Sequence, residues 1–334
     1  MKKLFYLGQW FLRARLFGRK APLQTVLFIS DVCNLRCKHC NVYELKNPHN
    51  MTYEQVREHL QYSYDLGSRF VDFEGGEVTI WKDGDYRIND LIDLAKKIGF
   101  FSCTISTNAQ LPFAGSHADS IWVSLDGINF HEEVRGKGTI AKLEKNIAGC
   151  GHKDLSVNMV VNTINHTDVE NTLEYVKNNP YIKSISVNFH TPFPGTEYLS
   201  IPFEERAKII DKVIEYKKKG YPIMNSVSGL KLMKTNKFTK RCWVTNFIYP
   251  DGRRGLCVGH GTDKCDQCGF CMSGEMASVF SFKPDTIFAG LKLRVREYIT
   301  DIQINLKRRL RASFFLWEFY YICTILHHCL GCNT

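Results

Sequence analysis

The chain has 334 residues, 44% of them hydrophobic, which is enough for one large domain or two ordinary ones with a packed core. Its net charge of +10 is concentrated at the ends: residues 1–20 carry six Lys or Arg and no acid, and residues 291–334 carry seven against three acids. The body is balanced in charge. This distribution argues against a nucleic-acid enzyme and favours an anionic membrane surface or a protein as the partner of the ends.

Thirteen cysteines are present, and most of them are clustered. The N-terminus lacks an apolar run followed by a small-residue cleavage site, so we expect a cytoplasmic protein, attached peripherally to the inner face of a membrane if the ends bind lipid. In that reducing compartment clustered cysteines bind metal or perform redox chemistry more often than they form disulfides.

Residues 1–21 form the first predicted element, a basic helix rich in Leu, Phe and Trp. Only Lys2, Gln9, Arg13 and Lys20 group into a polar stripe at helical spacing. The segment is too short and too charged to span a bilayer, which leaves two alternatives. The helix either lies at a membrane interface or docks on the body of the protein.

Residues 22–222 alternate between strand-like and helix-like patterns, which predicts βα units and a parallel sheet. In one helical pattern Thr52 can cap the start and Gly67 can end the helix. Six buried strands are predicted, at residues 25–30, 69–75, 101–107, 120–126, 155–162 and 184–190.

The pattern changes after Pro222. Residues 223–283 are rich in loops, Gly and Cys, and residues 284–334 form a basic helical stretch with an apolar tail. Glu318 interrupts that tail, which is too short to predict a membrane span. Three alternatives stay open for Cys329 and Cys332 near its end: a metal-binding pair, a palmitoylation target, or two thiols that are close by accident. We expect Cys103 and Cys150 to be small buried hydrophobic residues.

Cys33, Cys37 and Cys40 follow the first predicted strand, at the sheet edge where such folds place active-site groups. Three thiolates can hold three irons of a 4Fe–4S cluster and leave the fourth iron open. Structural zinc is the alternative, but it normally takes four protein ligands, and His39 or His49 would have to supply the fourth.

This CxxxCxxC motif on the loop after the first strand resembles the radical S-adenosylmethionine (SAM) enzymes. The resemblance implies an α/β fold, a partial (β/α)6 TIM barrel, here with a small Cys-rich C-terminal extension and helical termini. It also implies that SAM chelates the open iron and that an electron cleaves SAM to methionine and a 5'-deoxyadenosyl radical. A reductant such as flavodoxin or ferredoxin would supply that electron.

Further matches to the family follow successive predicted strands. A GGE motif follows the second strand, where the family binds the SAM amino group, although Val78 stands where relatives often have Pro. Arg135 matches an arginine that pairs with the SAM carboxylate in part of the family, and its alternative is an ordinary surface arginine. His190 either contacts substrate or belongs to a turn. The SAM-binding residues that the resemblance implies are Gly75, Gly76, Glu77, Ser106, Asn108, Ser124, Asp126, Arg135 and Asn162.

A second cysteine group lies at residues 242–271 and resembles the SPASM or twitch-like auxiliary-cluster extensions of many radical SAM enzymes. Four thiols satisfy one 4Fe–4S cluster, with zinc as the alternative. The expected ligands are Cys242, Cys257, Cys265 and Cys268, and Cys271 is able to replace one of them.

The substrate is not fixed by these motifs. The basic aromatic ends favour a membrane-associated or lipid-like substrate, and radical SAM hopanoid-modifying enzymes share that character loosely. The auxiliary-cluster region favours a peptide or protein maturase instead. A third alternative is an electron-transfer or sensing protein that does not bind SAM. The GGE match and the SLDG sequence that ends the fourth predicted strand (residues 124–127), which also resembles the family, disfavour it.

Overall fold

The computed structural model describes residues 2–40, 47–257, 259 and 263–294. The predictions for the apolar tail, including Cys329 and Cys332, lie outside these residues. The described chain is an open α/β structure in which one twisted sheet is covered by helices.

The sheet has eight strands in the order β6-β5-β4-β3-β2-β1-β7-β8. All pairs from β6 through β7 are parallel, and β8 pairs antiparallel with β7. The six strands predicted from the sequence are confirmed as β1 to β6, in an open sheet that does not close into a barrel. The strands are β1 (Gln24–Phe28), β2 (Phe70–Glu74), β3 (Ser102–Thr107), β4 (Ser120–Ser124), β5 (Leu155–Val161), β6 (Ser184–Phe189), β7 (Thr245–Ile248) and β8 (Arg254–Gly255).

Helices lie between most of the consecutive strands, and the caps predicted for the first of these helices are present. The helix after β1 begins at Thr52, whose side chain accepts a hydrogen bond from the Gln55 amide, and ends at Gly67 in the left-handed conformation. The helices are α1 (Lys2–Leu16), α2 (Tyr53–Leu66), α3 (Ile88–Ile98), α4 (His131–Arg135), α5 (Thr139–Cys150), α6 (Val169–Asn178), α7 (Phe203–Lys218), α8 (Val227–Met233), α9 (Cys271–Phe280) and α10 (Pro284–Arg294).

The hydrophobic core lies between the sheet and its helices. Alternate strand side chains such as Phe73, Ile105 and Val123 are buried there. Cys103 and Cys150 are buried in the same core, as predicted. The intervening side chains face the concave side of the sheet and are mostly small and polar. They include Thr104, Ser106, Ser124, Ser156, Asn158, Ser184, Ser186 and Asn188.

The Cys-rich region after Pro222 contributes two strands that the sequence did not predict. β7 lies in parallel register with β1, with Gln24 opposite Thr245 and Leu27 opposite Ile248. Four residues are too few to produce a recognisable alternation, and the pairing partner lies more than two hundred residues earlier in the chain. The sheet therefore continues from the predicted core region into the cysteine-rich one.

The N-terminal helix α1 docks on the body through one face and exposes another. Trp10 is buried against Trp243 and Phe280, and its indole nitrogen donates to the Ala21 carbonyl at 2.8 Å. The opposite face is apolar and exposed to solvent. It carries Leu4, Phe5, Leu12 and Leu16, each at least 52% exposed, and Phe17 follows the helix at 73%. Among the described helices, α1 included, none has the length and apolar character of a bilayer-spanning segment.

Candidate active site

The first three cysteines lie on the loop that follows β1, at the carboxyl edge of the parallel sheet. Cys37 is buried, and Cys33 and Cys40 are partly exposed. Backbone hydrogen bonds join this loop to the turn after β2: the Gly76 amide donates to Ser30 at 2.6 Å and the Glu77 amide donates to Val32 at 2.9 Å. No disulfide joins the described cysteines. The thiols are thus held at a fixed place on the sheet edge.

The two glycines of the GGE motif allow this close approach. A Cβ atom on Gly75 would lie 2.5 Å from the Ser30 carbonyl oxygen, and one on Gly76 would lie 2.1 Å from the Val32 oxygen. Real Cβ atoms do not come so near a backbone oxygen. The two glycines thus make room for the cysteine loop, and their contact with SAM, which the family resemblance implies, stays a prediction.

Glu77 is buried and its carboxylate binds the ends of two strands together. One oxygen accepts hydrogen bonds from the Thr79 amide at 3.1 Å, the Thr79 hydroxyl at 2.7 Å and the Thr107 hydroxyl at 2.6 Å, and the other accepts from the Asn108 amide at 2.7 Å. These bonds fix the turn behind the cysteine loop. A contact between Glu77 and the SAM ammonium stays a prediction.

Arg135 reaches the cysteine loop from α4. Its Nε donates to the Asp126 carboxylate at 2.7 Å, and a terminal nitrogen lies 3.7 Å from the sulfur of Cys37. Both charged side chains are buried, so Arg135 is not a surface arginine. Burial alone would raise the pKa of Asp126, but Arg135 and the nearby His39 outweigh it and hold that pKa below its usual value. The pair places a positive charge beside the Cys37 thiol.

The remaining predicted SAM-binding residues lie in different surroundings: Asn108, Ser106 and Ser124 lie at the cysteine loop or on the concave face, whereas Asn162 is buried in a turn. Asn108 faces the cysteine loop: its amide nitrogen lies 3.8 Å from the Cys33 sulfur and donates to Asn34 at 2.7 Å. Ser106 on β3 and Ser124 on the neighbouring strand β4 both lie on the concave face. Asn162 is fully buried and its side chain is bonded within the turn after β5. Its part in SAM binding therefore stays a prediction.

Three histidines lie near the cysteine loop or the sheet edge. The His39 side chain is 13% exposed, its Nδ1 lies 3.7 Å from Asp126 without a hydrogen bond, and desolvation lowers its pKa to about 4. His49 is exposed and its Nδ1 lies 3.3 Å from Asp31. His190 is buried at the end of β6 with Nε2 at 3.0 Å from the Thr196 carbonyl and hydroxyl, which gives it a role in a turn.

The first cysteine group has the donors that a 4Fe–4S cluster requires. Burial raises the pKa of Cys33 and of Cys37, while the Leu35 amide opposes the rise at Cys33 and Arg135 opposes it at Cys37. Iron binds the thiolate form, and the Leu35 amide and Arg135 stabilise that form, so both groups favour ligation of iron. Across the described residues, no three or more His, Cys, Asp or Glu side chains converge as ligands of one metal ion. A 4Fe–4S cluster instead takes each thiolate on a separate iron.

In the second cysteine group, three thiols lie near enough to Cys242 to affect its pKa. Burial raises the pKa of Cys242 to about 11, and the thiols of Cys257, Cys268 and Cys265 add to this rise because they lie nearby. Cys271 is set apart: it is 1% exposed, begins α9, and has only Cys268 among these thiols as an influence on its own raised pKa. This separates the four expected ligands from the fifth thiol.

Glu74, at the end of β2, is a candidate functional residue that the sequence reading missed. It lies on the concave face, where it accepts a hydrogen bond from Ser106 at 3.3 Å. Burial, with a contribution from Asp72, raises its pKa to about 7. A signal was available, because Asp72 and Glu74 are two residues apart on a strand and must share a face.

The comparison with known families agrees with this geometry. Residues 27–176 match the sequence profile of the Radical SAM superfamily, and this range includes the cysteine loop, the GGE turn and Arg135. Residues 27–176 thus form a domain of the Radical SAM superfamily. Members of that class use a 4Fe–4S cluster and SAM as cofactors.

Relatives and solved structures extend the likeness. The chain is 26% identical over 172 residues to GTP 3',8-cyclase of Pectobacterium atrosepticum, covering 46% of this chain and 51% of the relative, and it is equally similar to GTP 3',8-cyclase of Psychromonas ingrahamii. The chain thus spans about half the length of these curated relatives.

Two solved structures share the fold at low identity. SuiB of Streptococcus suis bound to SAM gives a TM-score of 0.59 at 17% identity, with 84% of this chain and 70% of that one covered. SuiB has also been solved with its precursor peptide SuiA. Native anSMEcpe with AdoMet and the Kp18Cys peptide gives a TM-score of 0.57 at 18% identity, covering 82% and 83%.

Proposed function

We propose that this protein cleaves SAM reductively at a 4Fe–4S cluster held by Cys33, Cys37 and Cys40, and that the resulting 5'-deoxyadenosyl radical modifies a membrane-associated substrate. The observation that carries the radical chemistry is the way the cysteine loop is held. The loop lies against Gly75 and Gly76, and nitrogens of Arg135 and Asn108 lie 3.7 and 3.8 Å from two of its sulfurs.

Each residue at the site has a defined task in this proposal. Cys33, Cys37 and Cys40 would hold the 4Fe–4S cluster, which when bound would supply the electron for reductive cleavage of SAM. Arg135 and Asn108 stabilise thiolates through their N–H groups, Asp126 keeps Arg135 in place, and Glu77 fixes the turn behind the loop. The concave face of the sheet receives the substrate.

The exposed face of α1 supports the membrane part of the proposal. Leu4, Phe5, Leu12 and Leu16 form an apolar surface on a helix whose opposite face is already docked. Six basic residues and no acid lie in the first twenty positions, so anionic headgroups would complement this surface. The polar side chains of the concave face would suit a polar part of the substrate, such as a headgroup, in this proposal.

Flotation with anionic vesicles tests the membrane part. The full chain should float with vesicles that contain anionic lipid, and removal of residues 2–20 should abolish flotation. Phe5→Ser with Leu12→Ser should weaken it strongly, because both changes fall on the exposed face. Absence of flotation by the full chain would remove the reason for a membrane-associated substrate.

A peptide maturase is the second candidate. Its support is the concave face itself, where serine, threonine and asparagine side chains offer the donors and acceptors that a peptide backbone needs, and the shared fold with SuiB and anSMEcpe, both solved with peptides. Mass spectrometry of a peptide encoded beside this protein, after incubation with enzyme, SAM and reductant, would decide between the candidates. A mass change in the peptide without lipid present would favour the maturase.

We also propose an auxiliary 4Fe–4S cluster on Cys242, Cys257, Cys265 and Cys268. The support is that Cys257, Cys265 and Cys268 each affect the pKa of Cys242, whereas Cys268 alone among these thiols affects that of Cys271. Zinc on the same four sulfurs is the alternative, and metal analysis of anaerobically purified protein distinguishes the two.

A further inference from the structure

Arg206 is a buried arginine on α7, beside the second cysteine group. Its side chain is 3% exposed, and its guanidinium lies 5.0 Å from the ring centre of Phe189 and 4.7 Å from that of Phe203. One terminal nitrogen donates to the Cys268 carbonyl oxygen at 3.1 Å. Its Nε has no hydrogen-bond acceptor in the described part of the chain. The guanidinium is therefore fixed against the cysteine loop with one donor unused.

No carboxylate balances the charge of Arg206 among the described residues. Burial lowers its pKa, and the acidic groups near enough to raise that pKa are the thiols of Cys271 and Cys268. Guanidinium remains protonated in proteins, and a buried charge without a counterion is strongly destabilising. By contrast, the other buried arginine near a cysteine group, Arg135, has Asp126 as its partner. The surroundings of Arg206 thus lack an anion.

We propose that Arg206 is the counterion of an iron–sulfur cluster on the second cysteine group and raises the reduction potential of that cluster. A 4Fe–4S cluster with four thiolates carries net negative charge, and reduction adds one more. A fixed positive charge next to the Cys268 ligand stabilises the reduced form more than the oxidised form. Arg206 is a positioning residue in this account, and the proposal rests on the auxiliary cluster proposed above.

Redox titration of the second cluster tests the proposal. The full chain with Cys33, Cys37 and Cys40 changed to Ala leaves one cluster to follow by electron paramagnetic resonance. Arg206→Gln should shift its midpoint potential to a more negative value, and Arg206→Lys should restore most of the shift. Lys208→Gln is the matched control, because it removes the same charge from the same helix at a side chain that is 64% exposed. An unchanged potential in Arg206→Gln would overturn the proposal.

Thermal stability gives a second, independent readout on the full chain. In cluster-loaded protein Arg206→Gln should lower the melting temperature because the cluster loses its counterion. In protein stripped of clusters by a chelator the same change should raise the melting temperature, because it removes an uncompensated buried charge. The same sign in both forms would overturn the proposal.

Iron analysis separates failure of this inference from failure of the cluster itself. The triple-alanine chain should hold about four irons when the second group binds one 4Fe–4S cluster. Absence of that iron refutes the auxiliary cluster and the role of Arg206 together. Iron at that level with an unchanged potential refutes the role of Arg206 alone.

Discussion

Gly76 lies where the turn after β2 packs against the cysteine loop. Its backbone angle is not the reason for glycine, since the position is not among those with positive φ. The reason is space, because a Cβ atom would lie 2.1 Å from the Val32 oxygen and 2.4 Å from its carbonyl carbon. A methyl group at this position must displace backbone rather than a flexible side chain.

Gly76→Ala should therefore impair the first cluster. We expect the cysteine loop to move away from the sheet edge, and the iron bound by Cys33, Cys37 and Cys40 to fall well below the wild-type level. Iron analysis and visible absorbance after anaerobic reconstitution measure this. Gly149→Ala is the control, because its added Cβ meets nothing within 4 Å inside α5. Equal iron in both variants would contradict the steric explanation.

Glu74 gives the stability of the protein a defined pH dependence. Burial, with help from Asp72, raises its pKa from 4.5 to about 7. Between these values the folded protein binds more protons than the unfolded chain, so the free energy of unfolding falls as pH rises from about 4.5 to about 7. Below that window the contribution of the neutral carboxyl is fully present.

Glu74→Gln should remove this part of the pH dependence, because the amide keeps the neutral form at every pH. Denaturant unfolding at a series of pH values measures the slope, and Glu58→Gln on the exposed face of α2 is the control. A slope that is the same in Glu74→Gln and wild type would show that Glu74 titrates normally.

At the scale of elements, the strands of the core were predictable because each carries a buried apolar face between turn residues. Val71 and Phe73 in β2, or Ile121 and Val123 in β4, give the period of two directly. The helix α2 was predictable from Thr52 and Gly67. β7 was not, since its four residues pair with β1 only through the tertiary fold.

Which face of α1 docks could not be predicted, because the helix is apolar around nearly all of its circumference. The structure was needed to identify the docked and the exposed face. Trp10→Ala should lower the free energy of unfolding by about 3 kcal/mol, because it removes a large buried side chain. Phe5→Ala, on a side chain that is 73% exposed, should leave stability nearly unchanged and weaken vesicle binding. Unfolding curves and flotation on both variants test the assignment, and a reversed pattern would contradict it.

At the scale of the whole molecule, the site depends on contacts between distant parts of the chain. Arg135 meets Cys37 across 98 residues, and Asn108 meets Cys33 across 75. Family resemblance pointed to these residues, but the burial of Arg135 and its pairing with Asp126 became visible only in the fold. Arg206 carried no sequence signal, because it stands in an ordinary amphipathic helix.

The surroundings of the five thiols in the second cysteine group predict which of them bind metal. Cys265→Ala should lose the metal of that group, while Cys271→Ala should keep it, because Cys271 is buried at the start of α9 and only Cys268 among these thiols affects its pKa. Iron and zinc analysis in the chain lacking the first three cysteines measures both. Loss of metal in Cys271→Ala with retention in Cys265→Ala would reverse the proposed ligand set.

Product analysis after anaerobic reconstitution with iron and sulfide tests the central claim most directly. Reconstituted protein given SAM and dithionite should form 5'-deoxyadenosine and methionine, and the variant with Cys33, Cys37 and Cys40 changed to Ala should form neither. No 5'-deoxyadenosine from protein that carries its iron, or zinc fully coordinated by protein at those three thiols, would contradict the account.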